Sequence, residues 1–295
     1  MSEPASDPEG LTWRELLAEA TARVGAPDAR RIVEEASGWE GAEWFLGLDA
    51  TPTQRGLGVV DAMVARRAAG EPLQYVLGRW GFRSLDLFVD RRVLIPRPET
   101  EVVVDVALGE LRRAGAEHRP VLVADLGTGS GAIALSLAAE VRTATVWGTD
   151  RSADALAVAR ANLAGLGRPG HRVRLSEGDW FAALPADLAG ELDLVVANPP
   201  YVADGEALPP EVAEWEPQQA LVAGPTGAED LARITAEAPR WLRSGGALVL
   251  ELAPWQAEPA AKRALAAGFA DVEVHPDLTG RPRALLARVP TLTDP

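Results

Sequence analysis

The stretch from Val121 to Gly131 reads VLVADLGTGSG, an apolar run that passes directly into a glycine-rich turn. The residues after it, Ala132 to Ala139, have the composition of a helix, so the stretch predicts a strand, a turn and a helix in that order. Glycines in such a turn let a ligand approach the backbone closely. The stretch therefore predicts an α/β fold with a nucleotide site at this turn.

A second strand is predicted from Ala144 to Thr149, and it ends at Asp150. At the carboxyl edge of a parallel sheet, this carboxylate can accept hydrogen bonds from both hydroxyls of a ribose. The spacing does not identify the ligand, because Gly127-x-Gly129-x-x-Ala132 also fits the dinucleotide fingerprint in its Gly/Ala form. A nicotinamide dinucleotide therefore remains an alternative on the basis of this turn alone.

A third strand begins at Val173-Arg174-Leu175, and Gly178-Asp179-Trp180 follows it at the edge where an adenine ring can be enclosed. The alternative interpretation of Trp180 is that it is simply an aromatic residue of the core.

The fourth predicted strand, Glu191 to Ala197, leads into Asn198-Pro199-Pro200-Tyr201. Two successive prolines force a rigid turn whose carbonyls stay unpaired. The Asn198 carboxamide oxygen and the Pro199 carbonyl can each accept one hydrogen of a planar NH2 group, while the Tyr201 ring covers its face. The plainer interpretation is an ordinary Asn-Pro turn that ends a strand.

The remainder of the chain completes the sheet. Residues 202–227 are predicted to form a long loop that acts as a substrate-facing lid, because such a loop is too long to be without function in a compact domain. The last two predicted strands, Phe269 to Val274 and Arg283 to Val289, are too close in sequence for a parallel crossover and must form a hairpin. A classical NAD fold ends on parallel strands, whereas an antiparallel terminal strand is typical of the S-adenosylmethionine-dependent methyltransferase sheet.

The chain before this sheet divides into three parts. Residues 1–10 are polar and are predicted to be disordered, and residues 11–78 show helical periodicity near Trp13, from Asp28 to Ser37 and from Thr53 to Ala69. We interpret residues 1–78 as a small helical domain, which is either a plain bundle or a module that helps to hold a macromolecular substrate. Residues 79–96 alternate with a period of two and predict a linking β-hairpin that turns at residues 90–92 and returns through residues 93–95. Residues 97–295 then form the catalytic domain.

Composition limits the class of function. The 295 residues carry a formal net charge of -14, which argues against a broad surface for duplex nucleic acid. There is no cysteine, and the three histidines are scattered, so we expect no disulfide, no thiol catalysis and no metal site. No apolar stretch is long enough to span a membrane, and the acidic N-terminus does not resemble a signal peptide. We therefore expect a cytoplasmic protein without membrane contact, and a monomer.

Taken in order, these motifs resemble those of the HemK/PrmC family of protein-(glutamine-N(5)) methyltransferases, which modify the glutamine of the Gly-Gly-Gln loop in bacterial peptide chain release factors. The resemblance covers roughly Leu73 to Arg288. The motifs that carry it are LIPRPETE at residues 94–101, DLGTGSGAIAL at residues 125–135, Asp150, Asp179-Trp180, Asn198-Pro199-Pro200-Tyr201, and Glu216-Pro217 with Ala220-Leu221 in the long loop. Two stretches depart from the family: Glu251-Leu252-Ala253 replaces Glu-Ile-Gly, and Arg243-Ser244-Gly245-Gly246 replaces Lys-Pro-Gly-Gly.

The resemblance implies a class I S-adenosylmethionine-dependent methyltransferase that uses S-adenosyl-L-methionine, releases S-adenosyl-L-homocysteine and acts on release factors without binding nucleic acid directly. It implies cofactor contacts for Asp125, Gly127, Thr128, Gly129, Ser130, Gly131, Asp150, Asp179, Trp180 and Asn198. It implies that Asn198, Pro199, Pro200 and Tyr201 hold the glutamine amide, and we add Arg97 and Glu99 as candidate substrate-binding residues. An adenine N(6) amino-methyltransferase of nucleic acid and a noncatalytic cofactor-binding partner of the translation machinery remain the alternatives.

Overall fold

The structure, a computed structural model, describes residues 10–39 and 41–291. The predicted disordered segment lies almost entirely outside these residues. The described residues form two compact units, and the boundary between them falls between Gly78 and Arg79.

The first unit is a small helical bundle. Among its described residues the helices are α1 (Trp13–Val24), α2 (Ala26–Ser37), α3 (Ala42–Gly47), α4 (Gln54–Ala68) and α5 (Leu73–Leu77). The three longer helices were predicted, whereas α3 and α5 span too few turns to give a periodic signal. Leu16, Ile32 and Val60 are buried between the helices, and the rings of Trp13 and Trp39 meet edge to face with centroids 5.3 Å apart.

The second unit is built on a twisted sheet with helices on its faces. Its elements are β1 (Arg79–Phe82), β2 (Leu85–Phe88), α6 (Thr100–Arg113), β3 (Val121–Leu126), α7 (Ala132–Glu140), β4 (Ala144–Asp150), α8 (Ala153–Gly165), β5 (Val173–Glu177), β6 (Leu192–Ala197), β7 (Val202–Ala203), α9 (Pro210–Trp215), β8 (Val222–Gly224), α10 (Glu229–Trp241), β9 (Leu242–Glu251), α11 (Ala257–Ala266), β10 (Asp271–Pro276) and β11 (Pro282–Arg288).

The main sheet has the strand order β10-β11-β9-β6-β3-β4-β5. Strands β5, β4, β3, β6 and β9 are parallel, whereas β11 pairs antiparallel with both β9 and β10. The predicted terminal hairpin is therefore confirmed. Every residue of β6 is buried, as expected for a central strand that is covered on both faces.

The register of the sheet aligns the carboxyl ends of its central strands. Leu126 at the end of β3 pairs with Ala197 at the end of β6 and with Thr149 near the end of β4. On its other side, Ala197 pairs with Leu250 of β9. The residues that follow these pairs, including Gly127, therefore leave the sheet at one edge.

The hairpin after residue 78 turns earlier than predicted. Strands β1 and β2 pair around Arg83-Ser84, and residues 90–95, which were predicted to turn and return as a strand, form a loop without strand structure. Arg83 has a positive φ of 52° and bonds to residues distant in sequence: its backbone N donates to Glu101 Oε1 at 2.9 Å and its Nε donates to Glu140 Oε1 at 2.6 Å. These tertiary contacts stabilise a turn that local sequence does not indicate.

The long loop, residues 202–227, contains short elements of its own and is not structureless. Strand β7 pairs in parallel with β8, and helix α9 lies between them in sequence. At the end of the loop, Gly227 has a φ of +75°, and a Cβ added there would lie 2.5 Å from the Tyr201 carbonyl oxygen. The Gly227 carbonyl accepts from the buried Gln256 Nε2 at 2.8 Å. The loop is therefore fixed against the turn that follows β6.

Replacing Gly227 with Ala tests this close approach. Gly205 in the same loop has a φ of +76° but nothing within 4 Å of an added Cβ, so Gly205→Ala carries the same backbone strain without the clash. We expect Gly227→Ala to destabilise the protein by roughly 1–3 kcal/mol more than Gly205→Ala, because the neighbouring atom is backbone. Thermal unfolding of both variants measures the difference, and equal melting temperatures would contradict the packing described here.

Candidate active site

A cavity lies at the edge of the sheet where the central parallel strands end. The cavity is open to solvent on one side, and the empty space within it and its open part together is about 920 Å³. Of the predicted site residues, the cavity is lined by Arg97, Gly127, Thr128, Gly129, Ser130, Asp150, Asp179, Trp180, Asn198 and Pro200. The described residues that line the cavity do not include the other predicted site residues, Glu99, Asp125, Gly131, Pro199 and Tyr201. The structure thus gathers most of the predicted site in one place.

The glycine-rich turn has the backbone that its sequence predicts. Gly127, Gly129 and Gly131 have φ values of +72°, +55° and +87°. The backbone N atoms of Gly127 and Thr128 both donate to the Thr149 carbonyl at 2.8 Å, which attaches the turn to β4. A Cβ on Gly127 would lie 3.0 Å from the Trp180 ring. Glycine at position 127 therefore allows both the positive φ and the contact with the ring.

Asp125 supports this turn from below. Its side chain is fully buried, and its Oδ2 accepts from Thr128 Oγ1 at 2.6 Å and from the Ala134 backbone N at 3.0 Å. Burial raises the pKa of this carboxyl to about 7, against the effect of the two hydrogen bonds. Asp125 therefore connects the turn to helix α7, and the structure places its side chain beneath the cavity rather than in its wall.

Asp150 is the last residue of β4 and lies in the wall of the cavity. It follows Thr149, the last residue of β4 that pairs with β3. Its Oδ2 accepts from the Gly129 backbone N and its Oδ1 from the Ser152 backbone N, each at 2.9 Å. Burial raises the pKa of this carboxyl, and the backbone hydrogen bonds oppose that effect. Because a carboxylate offers roughly four lone-pair directions, Asp150 can accept further hydrogen bonds from a ligand.

Trp180 is a core residue, as one of the two interpretations from sequence holds, and it also borders the cavity. Its side chain packs in the hydrophobic core with a residue exposure of 8%. Its φ of 47° is unusual for a bulky residue and fixes where the ring lies. The neighbouring Asp179 pairs with Arg233 at 2.6 Å, so its carboxylate is held at the rim of the cavity.

Asn198 bonds to Thr100, which in turn bonds to Glu251, and the sequence analysis identified neither partner as part of the site. Its Nδ2 donates to Thr100 Oγ1 at 3.4 Å, and Thr100 Oγ1 donates to Glu251 Oε2 at 2.6 Å. No hydrogen bond to the Asn198 Oδ1 is found within the described part of the chain. A signal for Glu251 was available, since an acidic residue inside the apolar run of residues 247–252 calls for an explanation.

Arg97 and Glu216 join the segment before α6 to the long loop. An Arg97 Nη2 donates to Glu216 Oε1, and the Ile95 backbone N donates to Glu216 Oε2 at 3.2 Å. Glu216 is buried with a residue exposure of 5%. Both segments line the cavity, so this ion pair stabilises its wall. Glu99 is half-buried and is the N-cap residue of α6.

The proline turn itself is largely buried. Pro199 and Pro200 are buried, and Tyr201 is half-buried at the point where the chain enters β7. Burial raises the pKa of the Tyr201 hydroxyl, and the nearby charge of Glu251 acts in the same direction. The phenol is therefore neutral over the physiological pH range and offers an aromatic face and a hydroxyl group.

No helix among the described residues is both long and apolar enough to cross a membrane. No group of three or more His, Cys, Asp or Glu side chains among them is arranged to hold a metal ion.

Comparison with known proteins connects this geometry to a family. The PrmC N-terminal domain family matches residues 12–78, and the Methyltransferase small domain family matches residues 110–214. The match at residues 12–78 extends the resemblance well beyond the residues 73–288 indicated by the sequence motifs.

Curated relatives agree over most of the chain. The release factor glutamine methyltransferase of Xylella fastidiosa (strain 9a5c) is 41% identical over 278 residues, which are 93% of this chain and 97% of the relative. The protein of that name from Deinococcus radiodurans is 40% identical over 289 residues, which are 94% of this chain and 99% of the relative.

Among solved structures, the catalytic domain of human Mettl16 in complex with an RNA hairpin matches with a TM-score of 0.55 and 17% identity, covering 79% of this chain and 82% of that one. At that identity the match speaks to the fold alone. Together with the sheet order, it confirms the class I S-adenosylmethionine-dependent methyltransferase fold predicted from sequence. On the similarity to its curated relatives, the chain belongs to the release factor glutamine methyltransferase family.

Proposed function

We propose that the protein transfers a methyl group from S-adenosyl-L-methionine to the side-chain amide nitrogen of the glutamine in the Gly-Gly-Gln motif of bacterial peptide chain release factors. The observation that carries this proposal is the position of Asn198 and Pro200 in the wall of the same cavity as the glycine-rich turn and Asp150. A methyl donor and an acceptor amide have to meet within one site, and this arrangement provides it.

The residues of the cavity fit the cofactor. The turn leaves open space at Gly129, where nothing lies within 4 Å of an added Cβ, and Asp150 keeps lone pairs that can accept from ribose hydroxyls. The Trp180 ring offers an apolar surface beside the turn for an adenine ring. When bound, S-adenosyl-L-methionine supplies an electrophilic methyl group on a sulfonium.

The proline turn has the chemistry to hold a carboxamide. An amide nitrogen is a poor nucleophile because its lone pair is delocalised into the carbonyl. If Asn198 Oδ1 and the Pro199 carbonyl each accept one of its hydrogens, the site favours a pyramidal nitrogen whose lone pair is free to react. Fixed carbonyl dipoles stabilise the positive charge that develops on this nitrogen more than they stabilise the neutral amide.

No general base is needed for this reaction. The alkylated amide nitrogen is strongly acidic and can release its proton after transfer. The side chains around Asn198 therefore have to orient the amide rather than to remove a proton from it, which is consistent with the buried position of Glu251.

The finer assignments follow from this proposal. The helical domain, residues 1–78, takes part in docking the release factor, and residues 79–96 link it to the catalytic domain that begins at Arg97. The enzyme acts as a cytoplasmic monomer without metal or direct nucleic-acid contact. The net charge of -14 supports a protein substrate over duplex nucleic acid. Adenine N(6) methylation of nucleic acid is the competing activity, because the proline turn alone also suits an adenine amino group.

The proposed substrate is tested by incubating purified release factor with the protein and S-adenosyl-L-methionine. We expect a mass gain of one CH2 unit on the Gly-Gly-Gln peptide, which persists after nuclease treatment and disappears when that glutamine is replaced. Mass spectrometry of the digested release factor gives the result. Methyl transfer to DNA or RNA at a comparable rate would point to the competing activity instead.

The cofactor site is tested by calorimetry on Asp150→Ala. We expect the affinity for S-adenosyl-L-methionine to fall by roughly 2–3 kcal/mol, the range for hydrogen bonds to a charged group. Asp187→Ala, which removes an exposed carboxylate outside the cavity, is the control and should bind normally. Unchanged binding by Asp150→Ala, or tight binding of NAD by the unmodified protein, would contradict the proposed cofactor site.

The amide site is tested by Asn198→Ala, which removes one of the two proposed acceptors. We expect kcat to fall by roughly 10²–10³ with a smaller change in release-factor affinity, as for loss of one preorganised polar group at a reacting centre. Asn198→Asp keeps an acceptor and should retain more activity than Asn198→Ala. Single-turnover rates with both substrates saturating separate the variants, and wild-type turnover by Asn198→Ala would show that the two-acceptor mechanism is wrong.

A further inference from the structure

A buried carboxylate that the transfer step does not use lies behind Asn198. Glu251 is the last residue of β9, and its residue exposure is 1%. The register explains its position: Leu250 pairs with Ala197, so Glu251 leaves β9 beside Asn198. Burying a carboxylate is costly unless its oxygens accept hydrogen bonds, and Thr100 Oγ1 donates to one of them at 2.6 Å.

The Glu251 carboxylate determines the direction of the two hydrogen bonds that connect it through Thr100 to Asn198. An ionised carboxylate has only acceptor oxygens, so the Thr100 hydroxyl has to donate to Glu251. The hydroxyl hydrogen is then committed, and Thr100 Oγ1 can offer only lone pairs to its other neighbour. That neighbour is Asn198, whose NH2 group lies 3.4 Å away and donates to it.

The alternative orientation of the Asn198 carboxamide is disfavoured for the same reason. A flipped carboxamide would place Oδ1 against Thr100 Oγ1, so that two oxygens with lone pairs would face each other without a hydrogen between them. In the observed orientation the NH2 group faces Thr100, and Oδ1, on the opposite side of the planar carboxamide, is left for a ligand. The 3.4 Å contact is long for a hydrogen bond, and such contacts in a free enzyme can shorten when substrate binds.

We propose that Glu251 and Thr100 are positioning residues that hold the Asn198 carboxamide with its oxygen toward the substrate amide. This inference rests on the proposed function, in which that oxygen accepts a hydrogen of the glutamine NH2 group. A flipped Asn198 would present its own NH2 group there, and two donors would meet. The Glu251-Thr100 pair therefore determines whether the site holds an acceptor or a donor at the reacting centre.

The ionisation state of Glu251 controls the orientation of the Asn198 carboxamide. Burial raises the pKa of the Glu251 carboxyl to about 7, and Arg283 and Arg97 oppose that effect whereas Glu99 adds to it. Below this pKa, the protonated carboxyl can donate to Thr100, which frees the Thr100 hydrogen to donate to a flipped Asn198. The constraint on Asn198 is therefore present above a pH of about 7 and is lost as the pH falls through it.

Two variants of Thr100 separate positioning from packing. Thr100→Val keeps the shape of the side chain and removes the hydroxyl, whereas Thr100→Ser keeps the hydroxyl. We expect kcat for release-factor methylation to fall roughly tenfold in Thr100→Val and to be largely restored in Thr100→Ser, with the dissociation constant for S-adenosyl-L-methionine unchanged in both by calorimetry.

A matched control is available in the same unit. Thr235 is fully buried in α10, and its Oγ1 donates to the Leu231 carbonyl at 2.7 Å, so Thr235→Val removes a buried hydroxyl away from the cavity. We expect this variant to lose thermal stability without loss of kcat. If Thr100→Val and Thr235→Val had the same kcat, or if Thr100→Ser were as slow as Thr100→Val, the inference would be wrong.

The pH profile provides a readout that a purely structural role would not change. We expect the wild-type kcat to fall as the pH drops through about 7 and the Glu251→Gln variant to be slower and to lack this part of the pH dependence. Asp125 and Asp150 also have raised pKa values, so the informative quantity is the difference between the two profiles. Identical profiles would overturn the inference.

These measurements distinguish the two proposals. If the wild-type protein failed to methylate any release factor, the proposed function would be wrong. If it methylated the release factor but Thr100→Val did so at the wild-type rate, only the positioning role would be wrong.

Discussion

The parallel pairing of β6 with β3 on one side and β9 on the other is the constraint on which the site depends. It sets Ala197 beside Leu126 and Leu250. The next residue of each strand segment, namely Asn198, Gly127 and Glu251, therefore lies at the same edge of the sheet. None of these residues is near another in sequence. The strand register brings them together, and a shift of one residue in β6 would turn its buried side chains to the opposite face.

Three carboxylates at this edge of the sheet position the hydrogen-bond donors around them. Asp125 holds Thr128 and the first turn of α7, Asp150 holds the Gly129 backbone N, and Glu251 holds the Thr100 hydroxyl. An ionised carboxylate only accepts, so each of them fixes the direction of a donor as well as its place. Two of them shape the backbone of the glycine-rich turn, and the third acts, in the role proposed for it, through Thr100 on Asn198.

Much of this arrangement could be predicted from sequence because it is local. The apolar run of β6 ends at Asn198, and the positive φ values of the turn occur at the glycines that require them. The antiparallel terminal hairpin followed from the short connection between β10 and β11. The family and the cofactor turn were identified from such segments alone.

The features that sequence did not show depend on contacts between distant residues. The hairpin turn at Arg83 is held by Glu101 and Glu140, which lie 18 and 57 residues away. Thr100 and Glu251 are 151 residues apart, and no local pattern connects a helix start with the end of a buried strand. Asp125 was predicted as a cofactor contact because it belongs to the family motif at residues 125–135. In the structure its buried Oδ2 accepts hydrogen bonds from Thr128 and Ala134 and so supports the glycine-rich turn from the protein interior.

Burying these three carboxylates lowers the stability of the fold, which indicates that they serve the site rather than the core. Burial raises the pKa of Asp125, Asp150 and Glu251, which means that desolvation outweighs the stabilising hydrogen bonds at each of them. A core built only for stability would use apolar side chains at these positions. In the proposed function the site holds an amide with two acceptors and offers it no donor, which requires a group that only accepts hydrogen bonds while it is ionised. In that proposal the ionised Glu251 provides such a group behind the Thr100 hydroxyl, and the stability that its burial costs is the consequence of placing a carboxylate behind Asn198.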